Sequence, residues 1–182
     1  MSNAFDPRGN PITFTFQSEA DVIELRAVTH TDREFLLTVF SSTRFDEFTG
    51  AGLSAAEIEL LIEQQFTMQD RYYRRHYPQA RFDVVLSGGV AAGRLYHNWD
   101  GDELRVMDIA LLPSFRGRGI GARLMHGLIA QAAQRGMAVK LYVERNNPVR
   151  SLYLRLGFEK IGENGIYELM CRPAAPFESQ AA

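Results

Sequence analysis

The sequence predicts a mixed α/β fold: a mostly antiparallel central sheet flanked by helices, with one parallel strand–helix–strand crossover. Three observations predict it. Two amphipathic helical stretches precede residue 80, three strand-like runs follow one another between Phe82 and Leu112, and the rest alternates strand, helix, strand, helix before a closing hairpin.

At 182 residues the chain fits a single domain with its own core, expected over 21–172. Residues 1–20 are polar and broken by Pro7, Gly9 and Pro11, which predicts a flexible arm with one short strand at "ITFTF"; 173–182 reads as a flexible tail. "DVIELRAVT" has the β-branched content of a strand. Thr31 or Asp32 can then cap a helix in which Phe35, Leu36, Val39 and Phe40 recur at helical spacing. Ser54 and Glu57 form a capping box for a second helix running toward Pro78.

The period then changes to that of strands: Phe82–Leu86, Val90–Tyr96 and Glu103–Leu112, joined at Gly88-Gly89 and at "NWDGD". A glycine- and arginine-rich turn leads into a helix to about Arg135. Its apolar face is Ile120, Leu124, Leu128, Ile129 and Ala132, its polar face includes Arg123, His126 and Gln134, and Gly136 stops it. "AVKLYVE" is a strand, "PVRSLYLRL" a helix with Pro148 in its first turn and Gly157 at its end, and "ENG" the turn of the last hairpin.

Composition excludes several classes. Lys and Arg total 20 against 22 for Asp and Glu, a formal charge of -2, so no overall cationic field gathers nucleic acid. The single cysteine, Cys171, excludes an internal disulfide and a thiolate zinc cluster, and the four histidines share no metal-ligand spacing. The start carries no secretory pattern, and no apolar run approaches the roughly 20 residues of a membrane span. The expectation is a soluble, cytoplasmic protein with no metal, membrane or nucleic-acid partner. Residues 66–82 interleave aromatic and basic side chains, but Phe66, Tyr73 and Tyr77 fall on one helical stripe, which reads as core-facing.

The stretch "LPSFRGRGIGARLM" carries the chemistry. A helix N-terminus leaves N–H groups unpaired and is partially positive, so it binds phosphate where the backbone can come close. Gly117, Gly119 and Gly121 remove the side chains that would block the approach, and Arg116 and Arg118 add charge. "GRGIGA" is not the dinucleotide pattern G-x-G-x-x-G, and no Lys-Ser/Thr pair follows as in a nucleoside triphosphate loop. A nucleotide domain would respond to ATP or NAD.

Arg116, Gly119 and Gly121 follow Leu111-Leu112-Pro113, and a second motif follows in "NNPVRSLYLRLGF": Asn146, then Tyr153, then Gly157-Phe158. With both motifs in this order, residues 20 to 171 resemble the GNAT superfamily of acyl-CoA-dependent N-acetyltransferases, most strongly over 80–171. Val149 stands where that family usually has a small Ala.

The resemblance implies acetyl-CoA as cosubstrate and an amine acceptor, small molecule or peptide, acetylated by direct attack. It assigns the coenzyme pyrophosphate to Arg116, Gly117, Arg118, Gly119, Ile120, Gly121 and Ala122, and the pantetheine amides to the backbone at Ile109 and Leu111. It further implies a bulge in that strand and its splaying from the strand at 138–144. Asn146 orders the following loop or touches the coenzyme, and Tyr153 is the acid for the departing thiolate. Tyr72, Tyr73 and His76 would border the acceptor. The base is open. Glu103 and Asp108 lie five positions apart, on opposite sides of a regular strand; Glu144 is a third candidate, and water-mediated deprotonation a further route. A non-catalytic acyl-CoA sensor on the same fold is the alternative, and a homodimer is open.

Overall fold

The computed structural model describes residues 13–14, 22–48 and 52–174. In chain order the elements are β1 (Thr13–Phe14), β2 (Ile23–Ala27), α1 (Arg33–Arg44), α2 (Ala55–His76), β3 (Arg81–Ser87), β4 (Val90–Asp100), β5 (Glu103–Leu111), α3 (Ile120–Gln134), β6 (Ala138–Glu144), α4 (Arg150–Arg155), β7 (Glu159–Asn164) and β8 (Tyr167–Arg172). The chain divides into two units, Met1–Tyr96 with Asp108–Arg118, and His97–Met107 with Gly119–Ala182. Both β4 and β5 therefore contribute residues to each unit. Most of the arm and tail expectation lies outside the described residues; within it, β1 falls on "ITFTF".

In the first unit the strand order is β1-β2-β3-β4-β5. β1 with β2 and β2 with β3 are antiparallel, the latter from Ile23↔Ser87 to Ala27↔Asp83. α1 buries Leu36, Val39 and Phe40, and α2 buries Ile58, Ile62 and Phe66, each set at helical spacing. The rings of Phe40 and Phe66 meet at 5.7 Å. Ser54 caps α2 as expected: its hydroxyl accepts from the Glu57 N–H, and the Glu57 carboxylate accepts from the Ser54 N–H at 2.8 Å.

The cap before α1 differs from expectation. Thr29, not Thr31 or Asp32, is the capping residue of a 3-10 turn at His30–Asp32 that feeds α1. Asp32 takes the third position, where its carboxylate accepts from the Thr29 N–H (2.7 Å) and hydroxyl (2.8 Å) and from Arg26.

In the second unit the order is β4-β5-β6-β8-β7. β5 runs parallel to β6 from Glu103↔Ala138 to Val106↔Leu141, the expected crossover with α3 between them in sequence, and the pairings of β6 with β8 and β8 with β7 are antiparallel. The predicted apolar face of α3 is buried in full, together with Met125. Two boundaries move. β4 continues to Asp100, leaving only Gly101-Asp102 as the turn, so Trp99 lies on a strand. α4 starts at Arg150, so Pro148 precedes the helix instead of entering its first turn.

Candidate functional site

β5 ends at Leu111, and a 3-10 turn at Pro113–Phe115 carries the chain to the glycines. Gly117 (φ +73°) and Gly119 (φ +76°) both take the left-handed conformation that side-chain-bearing residues avoid. Gly119 caps α3, its carbonyl accepting from the Arg123 N–H at 3.0 Å. Gly121 is different: it is helical without a positive φ, and among the described residues a Cβ there would meet nothing within 4 Å. Neither backbone geometry nor a neighbour among the described residues requires glycine at 121. Ile120, assigned to the same turn, is buried, so it can offer a ligand its backbone alone, while Gly121 and Ala122 are half-buried.

The two arginines of the turn are engaged by the protein. Arg116 donates through Nε to the Leu111 carbonyl (2.8 Å) and through Nη2 to the carbonyl and hydroxyl of Ser42 (both 3.0 Å). It pins the end of β5 to α1, and the Leu111 carbonyl, expected to face pantetheine, already has this partner. Arg118 lies over the Phe115 ring at 5.3 Å. Gly93 sets the approach of β4 to the end of β5, since a Cβ there would fall 2.2 Å from the Ala110 carbonyl oxygen.

Also in the first unit, Asp108 meets a residue that the sequence reading missed. Arg94, 2% exposed, donates to Asp108 from Nη2 (2.7 Å) and Nε (3.3 Å) and to Gln69 Oε1 on α2 (3.1 Å). Burial opposes the guanidinium charge, but the Asp108 carboxylate holds its pKa above the usual value. The guanidinium also lies over the rings of Phe40 (5.3 Å) and Tyr96 (5.2 Å). Burial pushes the Tyr96 phenol up to about 12, and its Oη, like Arg94 Nη1, is buried without a hydrogen-bond partner among the described residues. Ile109 is half-buried. Of the residues expected to select an acceptor, Tyr73 packs edge-on to Tyr96 at 6.3 Å, whereas Tyr72 is exposed and stacks on His76 at 4.1 Å. The rings of Tyr72 and Tyr73 lie 6.1 Å apart.

In the second unit Glu103 is fully engaged. Its Oε1 accepts from Arg105 (2.6 and 2.9 Å), and its Oε2 accepts from Lys140 on β6 (2.6 Å). Burial opposes its charge, but the hydrogen bonds from Lys140 and Arg105 outweigh it and hold the carboxyl below the usual range. A carboxylate clamped by two cations ties β5 to β6. Asn146 is exposed in the turn after β6, and its neighbour Asn147 accepts through Oδ1 from the Val149 N–H at 3.0 Å. Tyr153, on α4, is 5% exposed, with its ring 5.8 Å from that of Phe158.

The chain is similar to known acetyltransferases. It is 36% identical over 61 residues to the ribosomal protein bS18-alanine N-acetyltransferase of Haemophilus influenzae, a match over 33% of this chain and 42% of that protein. The chain therefore matches about two fifths of that relative's length. The PaiA N-acetyltransferase of Thermoplasma acidophilum, solved in complex with coenzyme A, superposes with a TM-score of 0.63 at 21% identity over 83% of this chain and 98% of that one. An acetyltransferase of Thermus thermophilus superposes with a TM-score of 0.59 at 20% identity, covering 83% and 96%. At these identities the two structures show a shared fold. Among the described residues no helix is long and apolar enough to cross a membrane. The family model described as the acetyltransferase (GNAT) family matches residues 43–158, more than half of the sequence, and the chain belongs to that family.

Proposed function

We propose that the protein is an N-acetyltransferase that moves an acetyl group from acetyl-CoA to the amine of a small molecule or peptide. Gly121 carries this reading beyond family membership. A helical glycine with open space at its Cβ, in the first turn of a helix whose cap is also a glycine, suits a backbone approached by an anion from outside the protein. Gly117, Gly119 and Gly121 would offer backbone N–H groups to the pyrophosphate. Arg116 would act as a positioning residue, holding the turn through Leu111 and Ser42.

In the reaction the neutral amine nitrogen attacks the thioester carbonyl carbon, and the resulting oxyanion collapses by breaking the C–S bond. The thiolate takes the phenolic proton of Tyr153, and the new amide loses its surplus proton. Glu103, Asp108, Glu144 and water are the candidates for taking that proton. The relative named for an alanine acceptor supports including peptide amines among the candidates.

The test has two stages. Acetyl-CoA at about 100 times its dissociation constant should stabilise the fold by roughly 2.7 kcal/mol, with ATP doing much less. A screen of small amines and peptide N-termini with acetyl-CoA, read by the mass of the product, should then give an adduct heavier by one acetyl group together with free thiol. A large shift with ATP and none with CoA would overturn the reading.

A further inference from the structure

We infer that the outer face of α2 is an interface with a second copy of this chain, the two helices running antiparallel across a two-fold axis. The inference does not depend on the proposed reaction. α2 has 22 residues and is about 33 Å long. While Ile58, Ile62 and Phe66 bury one side, the opposite side leaves large apolar groups in a row at four-residue spacing: Leu60 (57% exposed), Met68 (72%) and Tyr72 (52%), with Gln64 between the first two. A shallow, open depression of about 370 Å³ lies on this face, lined by α2 residues alone from Leu60 to Arg71. Single exposed apolar residues are ordinary, but three large ones on one side of one helix mark a contact surface.

The charges on the helix select the occupant. Its first half carries Glu57, Glu59 and Glu63 and no base, whereas its second half carries Arg71, Arg74 and Arg75, with Asp70 paired to Arg74 at 2.9 Å. This division complements the helix dipole, which by itself leaves the apolar row unexplained. It also complements a second α2 in the reverse direction. Thr67 lies midway along the sequence both between Glu59 and Arg75 and between Glu63 and Arg71. An axis at Thr67 brings Glu59 to Arg75 of the second copy and Glu63 to its Arg71, and places Leu60 within a turn of its Tyr72. The same contacts repeat in reverse, as a two-fold interface requires. A parallel pair would set acid against acid and base against base. Among the described residues no ion pair within the chain engages Glu59, Arg71 or Arg75, and the pair Glu63–Arg33 (3.0 Å) is exposed on both sides and easily exchanged.

Sedimentation of the full chain over a concentration series tests this. A monomer–dimer equilibrium is expected, abolished by Met68→Glu and by Leu60→Glu, both at exposed positions where the monomer's melting curve should barely move. Glu59→Arg and Arg75→Glu should each weaken the dimer about tenfold or more, since each sets like charges together twice per dimer. Combining them should restore most of the affinity, which a merely structural effect of either substitution would not do. A chain that stays monomeric throughout, a dimer indifferent to Met68→Glu and Leu60→Glu, or a combined variant no better than its parents would each overturn the inference.

Discussion

Arg94 and Asp108 form a charge pair in which the cation is almost wholly buried and the anion sits at the rim, 2% and 14% exposed, joined by contacts of 2.7 and 3.3 Å. A buried guanidinium is tolerated because its charge is answered, and Gln69 answers a further N–H. Removing only the carboxylate strands that charge. Asp108→Ala should therefore cost about 3 kcal/mol of stability, whereas Arg94→Met combined with Asp108→Leu should cost much less than the single change. Urea unfolding of the three proteins checks this; equal losses in the single and double variants would show that the pair matters only as packing.

The same pair shows where sequence reading stops. Ser54 and Glu57, the α3 face and β6 were legible because their signals are local: a cap three residues wide, a helical period, a β-branched run. Arg94 finds Asp108 across the β4–β5 turn, 14 residues away, and Arg116 finds Ser42 at a separation of 74, so neither partner follows from neighbouring residues. "NWDGD" reads as a loop by composition, yet Gly101 alone supplies the positive φ (+55°) and the strand keeps Trp99, whose Nε1 donates to His97 Nδ1 at 2.9 Å. Lys140 reaches Glu103 from another strand, 37 residues along the chain, so that partner is not legible locally either.

Acid sensitivity should rest in part on Asp32 and Glu103. The Arg26 hydrogen bonds hold Asp32 well below the usual carboxylate range, with the Thr29 N–H and hydroxyl adding to them, and Glu103 is also lowered. Near pH 4 the unfolded chain then binds more protons than the folded one, so the contribution of both groups is fully present above about pH 5 and is lost as pH falls through their folded pKa values. Asp32→Asn and Glu103→Gln should each flatten the decline in stability below pH 5. Asp32→Asn should also cost about 1–2 kcal/mol at neutral pH through the lost ion pair and a weakened capping box. Denaturation series between neutral and acid pH read both effects, and a slope unchanged in both variants would remove these groups from the account.

The glycines separate backbone need from ligand need. Gly119→Val forces a β-branched residue to φ +76° and should lose at least about 1 kcal/mol of stability besides weakening acetyl-CoA binding. Gly121→Val meets open space at an ordinary helical geometry, so stability should stay within about 0.5 kcal/mol of the parent or rise. Acetyl-CoA affinity should nevertheless fall by about tenfold or more, which corresponds to about 1.4 kcal/mol. Melting curves and calorimetry on the same samples give both quantities. Parental affinity in a stable Gly121→Val protein would mean that no ligand approaches this face of the turn.

Tyr153 tests the chemistry apart from binding. A proton donor to the departing thiolate acts in the transition state and contributes little to the ground-state complex, so Tyr153→Phe should lower turnover while sparing acetyl-CoA affinity. General acid catalysis contributes about 10²- to 10⁴-fold, and a loss of that order is expected where the chemical step limits the rate. The ring is buried against Phe158, and Phe retains that contact, so the melting temperature should move by no more than the loss of one hydroxyl's interactions allows, about 1–2 kcal/mol. If the phenol is the acid, the rate lost should be largest for acceptors whose attack is fast, because breaking the C–S bond then limits turnover, and smallest for poor nucleophiles. Turnover equal to the parent's, in a folded variant that binds acetyl-CoA normally, would make Tyr153 a packing residue of the second unit.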